Sequence, residues 1–156
     1  MSGGFNPGLG LAILRVTLGM IFLAHGWPKL FGGIELTTSV LMSIEVPLPM
    51  LFAWTLALLE TLGGILLVVG YLVKPAALLL IPHILTGIFL VHLPNGFYVI
   101  GPGREGIEFS LMLMAGLFAL LFVGAGSGTL QGRFQKNIKV REPLTSTSTS
   151  SKPSHS

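Results

Sequence analysis

Apolar residues fall along the chain in four blocks, parted by short stretches rich in Gly, Pro and polar side chains. A helix that crosses the hydrocarbon of a bilayer needs roughly 20 mostly apolar residues. The first block runs from about Leu9 to Phe31 and contains Arg15, His25 and Lys29. The second runs from about Pro49 to Val73 and is interrupted only by Glu60. Tyr71-Leu72-Val73-Lys74-Pro75 then makes a tight connection, with Pro75 placed as the first residue of a third helix. That helix stops near His92, at Leu93-Pro94-Asn95-Gly96. The fourth follows Gly101-Pro102-Gly103 and runs from about Glu105 to Val123. The pattern predicts an all-α, integral membrane four-helix bundle. Residues 1–8 form a cytoplasmic N-terminus, 9–128 the four-span domain, 129–141 a basic juxtamembrane segment and 142–156 a disordered Ser/Thr-rich tail. The stretches 32–48 and 93–104 read as loops. Met1 to Gly8 carries no Lys or Arg, so the first block is kept as a helix and not as a cleaved leader.

Composition sharpens this picture. Of the 156 residues, 51% are hydrophobic and 10% are charged, with a mean hydropathy of +0.82. An ordinary soluble domain carries about 25% charged residues. The pI near 9.6 does not imply nucleic acid, because four of the nine Lys and Arg residues sit in one short C-terminal stretch, 133–141. The chain has no Cys, which excludes disulfides, thiol catalysis and cysteine-ligated metal clusters. Lys and Arg also set the orientation. Four spans place the termini on one side together with Lys74, Arg133, Lys136, Lys139, Arg141 and Lys152. Lys29 and Arg104 fall on the other side, so both termini are expected to be cytoplasmic. Leu130, Phe134 and Ile138 recur every fourth residue beside Arg133, Lys136 and Lys139. That spacing suits a segment lying on an anionic leaflet, and equally a generic positive-inside anchor.

Ionisable groups inside spans are costly, and each is a candidate for function. From the rise per residue, Arg15 lies roughly 9 Å, Glu60 roughly 13 Å and His83 roughly 12 Å from the cytoplasmic edge. Three groups on three helices thus share nearly one depth. A second layer, toward the outer surface, gathers His25, Lys29, His92, Glu105 and Glu108. Arg15, Leu18, Phe22, His25 and Lys29 step by three and four along one stripe of the first helix. Glu60 shares its face with Gly63, Gly64 and Leu67, where small residues permit close approach. His83 and His92 are nine residues apart, half a turn out of phase in a straight helix, so only one of them can face inward. Structural roles compete with functional ones. Arg15 and Glu60 fit a pair that holds two helices in register, and Lys29 fits a snorkelling side chain. Glu105 and Glu108 suit a first helical turn, and His83 could satisfy a carbonyl freed by Pro82. Trp27, Trp54, Phe97 and Tyr98 read as interface aromatics. His25, His92 and Glu108 match no strong ligand spacing, so no metal site is expected.

His25-Gly26-Trp27-Pro28-Lys29-Leu30-Phe31-Gly32 ends the first block, and Glu60-Thr61-Leu62-Gly63-Gly64 lies within the second. His92-Leu93-Pro94-Asn95-Gly96-Phe97 and then Gly106-Ile107-Glu108-Phe109 follow. In that order, across four spans, these stretches resemble the DoxX family of small membrane proteins, over roughly Leu9 to Gly128. The resemblance implies a four-helix inner-membrane protein linked to redox chemistry, some members resembling a subunit of thiosulfate:quinone oxidoreductase. It places Arg15, His25, Lys29, Glu60, His92 and Glu108 at recurrent polar positions. The leading expectation is a membrane component of a redox system that binds a quinone or another small amphipathic molecule within the bundle, with His25, Glu60 and Glu108 as candidate catalytic groups. His83 joins the six recurrent positions as a candidate ligand contact. Electrons would come from a soluble or membrane redox partner, and the chain alone is not expected to be a complete enzyme. The alternatives are a scaffold for soluble redox enzymes and a small transporter; homo-oligomers are left open.

Overall fold

The computed structural model describes residues 6–99 and 106–132. Helix α1 (Pro7–Pro28) leads through a broken turn, Lys29–Gly33, into α2 (Ile34–Ser43). Helices α3 (Pro49–Val69) and α4 (Val73–Gly87) follow, then a π-helical turn at Ile88–His92, a 3-10 turn at Leu93–Asn95, and α5 (Glu108–Val123). No strand occurs among the described residues. The continuous stretches Pro7–Ser43, Pro49–Val69 and Val73–Asn95 are long and apolar enough to cross a membrane, and Glu108–Val123 adds a shorter apolar helix. Its 16 residues rise about 24 Å. The protein is an all-α bundle of membrane helices. The basic segment from Arg133, the Ser/Thr-rich tail, Arg104 and Glu105 lie outside the described residues.

Local chemistry sets the helix ends. Asn6 caps α1, its Oδ1 accepting from the Leu9 amide at 3.2 Å, with Pro7 at the first helical position. Helix α3 stops at Val69 because Gly70 takes a left-handed conformation (φ +73°). The Gly70 amide turns back to the Leu66 and Leu67 carbonyls, and the Tyr71 amide to Leu66. Helix α4 begins two residues before Pro75, which sits in the first turn where no intrahelical amide donor is needed.

The surface is apolar and the interior holds charge. Leu9, Ile13, Met20, Leu62, Leu78, Met112 and Phe122 are exposed, whereas Arg15 and Glu60 are buried. Hydrocarbon solvent favours that distribution. Helices α1 and α3 run antiparallel with their backbones in contact. A Cβ on Gly19 would lie 2.8 Å from the Gly64 carbonyl oxygen, and one on Gly64 would lie 2.8 Å from that of Gly19. Seven residues along α1, Gly26 sits as tightly on Glu60 and Thr61. Leu18 and Phe22 of α1, Leu67 of α3, Ala76, Ala77 and Leu80 of α4, and Leu113, Leu117 and Leu120 of α5 form the main core.

The stretch expected to be a loop between the first two spans carries a helix of its own, α2. Gly32 (φ +125°) turns the chain, and α2 then lays Ile34 and Leu41 against Ala53 and Ala57 of α3. Its Ser and Thr residues made it read as polar. Their hydroxyls are satisfied inside the helix, however: Thr38 donates to the Ile34 carbonyl at 2.8 Å, Ser39 to Leu36 at 2.8 Å and Ser43 to Val40 at 2.7 Å.

Gly64→Leu should force α1 and α3 apart and destabilise the bundle by about 1–3 kcal/mol or more. Gly10→Ala, where the added Cβ meets no atom within 4 Å, should be close to neutral. Thermal unfolding in a mild detergent separates the two, and equal midpoints would contradict the close crossing.

Candidate functional site

Glu60 sits on α3 with its side chain only 6% exposed. Its carboxylate accepts from Lys29 Nζ through both oxygens, at 2.7 Å and 2.6 Å, and from His83 Nε2 through Oε1 at 2.9 Å. Three segments thus meet at one carboxylate: the end of α1, the middle of α3 and the middle of α4. Ammonium donors to an ionised acceptor make short, strong bonds. In an apolar interior they also prevent the large cost of an unpaired charge. Lys29 therefore reaches inward instead of snorkelling to the membrane surface. His83 likewise turns to Glu60 and not to the carbonyl one turn earlier that Pro82 leaves without an amide donor.

Side-chain lean explains the gathering. Side chains on a helix tilt toward its own N-terminus. In antiparallel helices Lys29 therefore leans down α1 while Glu60 leans up α3, and the two converge. Helix register separates Arg15 from Glu60: with Gly19 against Gly64 and Gly26 against Glu60, Arg15 lies beside the far end of α3. The Arg15 guanidinium points the other way and donates to the Leu67 and Val68 carbonyls, at 2.8 Å and 3.2 Å, and to Ser127 at 3.5 Å. Leu67 lies seven residues beyond Glu60, about 10 Å along the helix. The expected shared layer of Arg15, Glu60 and His83 thus resolves into two sites. Arg15 holds the C-terminal, negative end of the α3 dipole and ties it to the segment after α5. Gly70 makes room for it, since a Cβ there would collide with the guanidinium.

Beside the carboxylate lies a cavity of ≈ 520 Å³. Its polar lining includes His25, Lys29, Glu60, His83, His92 and Ser110; its apolar walls include Ile21, Phe22, Leu36, Val40, Leu56, Ile84, Phe109 and Leu113. Both histidines of the third span line it, contrary to the expectation that only one could. The π-helical turn at Ile88–His92 supplies the reason. One extra residue in a turn shifts the register by about 100°, which reduces a half-turn offset to about 80°. His25 donates from Nδ1 to the Ile21 carbonyl at 2.9 Å, and its ring lies 6.5 Å from that of Phe109. Glu108 does not line the cavity. Its Oε1 accepts from the Val99 amide at 2.8 Å, and its own amide donates to Phe97 at 3.1 Å, so it fastens the chain before α5. No group of residues suited to hold a metal ion occurs among the described residues. The α2 wall and Ser110 were missed from sequence, although Ser110 shares its helix face with Leu113 and Leu117, a signal that periodicity could have given.

Comparison with known proteins gives these features a context. The DoxX family model matches residues 10–93, which include Arg15, His25, Lys29, Glu60, His83 and His92. The inner membrane protein YphA of Escherichia coli (strain K12) is 32% identical over 84% of this chain and 94% of its own length. CatD of Bacillus subtilis (strain 168), provisionally named an oxidoreductase, is 31% identical over 67% of this chain and 73% of its own. A Haemophilus influenzae protein is 28% identical over 81% of this chain and 91% of its own. No solved structure matches the chain.

Lys29→Met should leave the Glu60 carboxylate buried with His83 alone and destabilise the bundle by about 3–5 kcal/mol. Adding Glu60→Gln to that variant should restore most of the loss, because no unpaired charge remains. Additive losses in the double variant, measured by thermal unfolding, would contradict the pairing.

Proposed function

The chain belongs to the DoxX family of membrane proteins, and on that premise we propose that it is the membrane subunit of a redox system, binding a quinone in the cavity beside Glu60. The observation that carries this reading is a charged cluster, Lys29–Glu60–His83, set in the wall of a largely apolar cavity inside a membrane bundle. Ligand pockets run from about 300 to 1,000 Å³ and join apolar walls to a few placed polar groups. The ≈ 520 Å³ here is ample for a ring with two carbonyl oxygens.

The residues present fit such a molecule. Lys29 has three donor hydrogens, of which Glu60 occupies two. The third can face a ligand oxygen and stabilise negative charge on it. Because His25 donates from Nδ1, its Nε2 is left to exchange a proton with the ligand. Glu60 holds Lys29 in place and keeps the site electrically neutral, which favours a neutral ring over an ion. Phe22 and Phe109 supply faces for the ring. When bound, the quinone supplies the two-electron chemistry, and a partner enzyme supplies the electrons. The Lys and Arg distribution supports cytoplasmic termini, and on that reading this cavity lies in the outward half of the bundle. A relative named as an inner membrane protein and another provisionally named an oxidoreductase support an inner-membrane location and redox chemistry.

Solvent extraction and mass spectrometry of protein purified in mild detergent test this reading. Stoichiometric quinone is expected in the wild type and absent from a Glu60→Gln, His25→Ala variant that remains folded. Quinone retained by that variant would overturn the site. A wild type that neither carries quinone nor shows saturable binding of added decylubiquinone would overturn the function.

A further inference from the structure

The cavity is confined to one half of the bundle. Its lining comes from the C-terminal ends of the first and third spans, the N-terminal halves of α3 and α5, and α2. In the other half Leu67, Leu80, Leu117 and Leu120 are fully buried, and Arg15 ties that end shut. The walls toward the open half are unusual, because several side chains that line the cavity also face outward. Leu36 is 72% exposed, Phe109 45% and Val40 40%, and His25 is the one polar side chain of the lining that is exposed as well. A mouth bordered by water would place polar groups at such positions. In a membrane helix bundle, exposed apolar side chains face hydrocarbon. The site thus has a charged floor, at Glu60 and Lys29, and a rim that is apolar on the side of Leu36, Val40 and Phe109.

We propose that the cavity opens sideways into the bilayer through a portal rimmed by Leu36, Val40 and Phe109. It takes the head group of a lipid-soluble molecule from the leaflet on the α2 side and leaves the tail among the lipids. This deepens the quinone reading and rests on it for the identity of the head group. The charge pattern gives the direction of entry. The polar head moves inward to Lys29 and His25, while an apolar tail at the rim touches only apolar side chains and lipid, so no part of the ligand is stranded in the wrong solvent. Helix α2 makes one side of the portal. It packs against α3 through Ile34 and Leu41 and leaves Leu36 and Val40 at the rim.

The absence of native Cys allows a nitroxide to be placed at single introduced thiols in the full chain, reconstituted in lipid nanodiscs. A label at Ser110→Cys reports on the cavity, and one at Met112→Cys, on the 72% exposed lipid face of the same helix, reports on hydrocarbon. Collision with oxygen, which partitions into lipid, is expected to exceed collision with a water-soluble nickel chelate at both positions. Val40→Trp should fill the portal and remove most of the oxygen contact at Ser110 while leaving Met112 unchanged, which also shows that the bundle remains folded. Preference for the nickel chelate at Ser110 would overturn the proposal in favour of an aqueous mouth. An unchanged Ser110 signal in the Val40→Trp variant would overturn the portal's location. Neither readout needs a quinone, so the portal and the quinone site can fail separately.

Discussion

The arrangement depends on one buried carboxylate. Glu60 lies in the bundle interior, where an unpaired negative charge would cost more than most single interactions in the fold contribute. Lys29 and His83 therefore have to arrive at it, and each comes from a different span. Meeting that demand fixes the rotation of α1 and α4 about their axes and their height relative to α3. Lys29 must also come from the very end of α1, which puts the turn at Gly32 directly after the site and brings α2 back over it. The wall of the cavity is thus a consequence of where the charge is paired.

Close packing makes that pairing geometrically feasible. Gly19 against Gly64 and Gly26 against Glu60 and Thr61 bring the α1 and α3 backbones into contact, so the Lys29 side chain can reach the carboxylate. The contact is repeated seven residues along α1, which keeps the two helices aligned from the site toward the far end. There Arg15 closes the bundle in a different way. It binds helix-end carbonyls and no carboxylate among the described residues, and its charge is matched by the partial negative charge of the α3 terminus.

Most of the fold was legible in the sequence because hydrocarbon imposes long apolar blocks that few other structures need. The site was legible in part. The stripe from Arg15 to Lys29 and the Gly-rich face of Glu60 are the faces along which α1 and α3 meet. Depth counted from assumed span ends brought Arg15 level with Glu60, but the register of α1 on α3, Gly19 against Gly64 and Gly26 against Glu60, sets Arg15 beside the Leu67 end and Lys29 beside the carboxylate. A straight helix would set His83 and His92 half a turn apart, and the π-helical turn that brings them together is not visible as a residue pattern. Helix α2 was hidden by hydroxyls that look solvent-seeking in a sequence but are satisfied by their own helix.

The two ends of the bundle also bear on the choice between a binding site and a transport path. A transporter needs its central site to connect with either side in turn. On one side of Glu60 there is a cavity with a charged floor; on the other, the core of Leu67, Leu80, Leu117 and Leu120 is packed without accessible surface. Opening that half would mean separating α3, α4 and α5 at this fully buried layer and withdrawing Arg15 from the α3 carbonyls, which would leave a guanidinium and helix-end acceptors unpaired in hydrocarbon. Each of those costs is avoided if the ligand enters and leaves by the same door. On the proposed reading, a dead-ended cavity whose charged floor pairs Lys29 with Glu60 suits a molecule that changes its protonation and redox state in place. That chemistry asks for proton exchange at His25 and electrons from outside the chain, and for no passage through it.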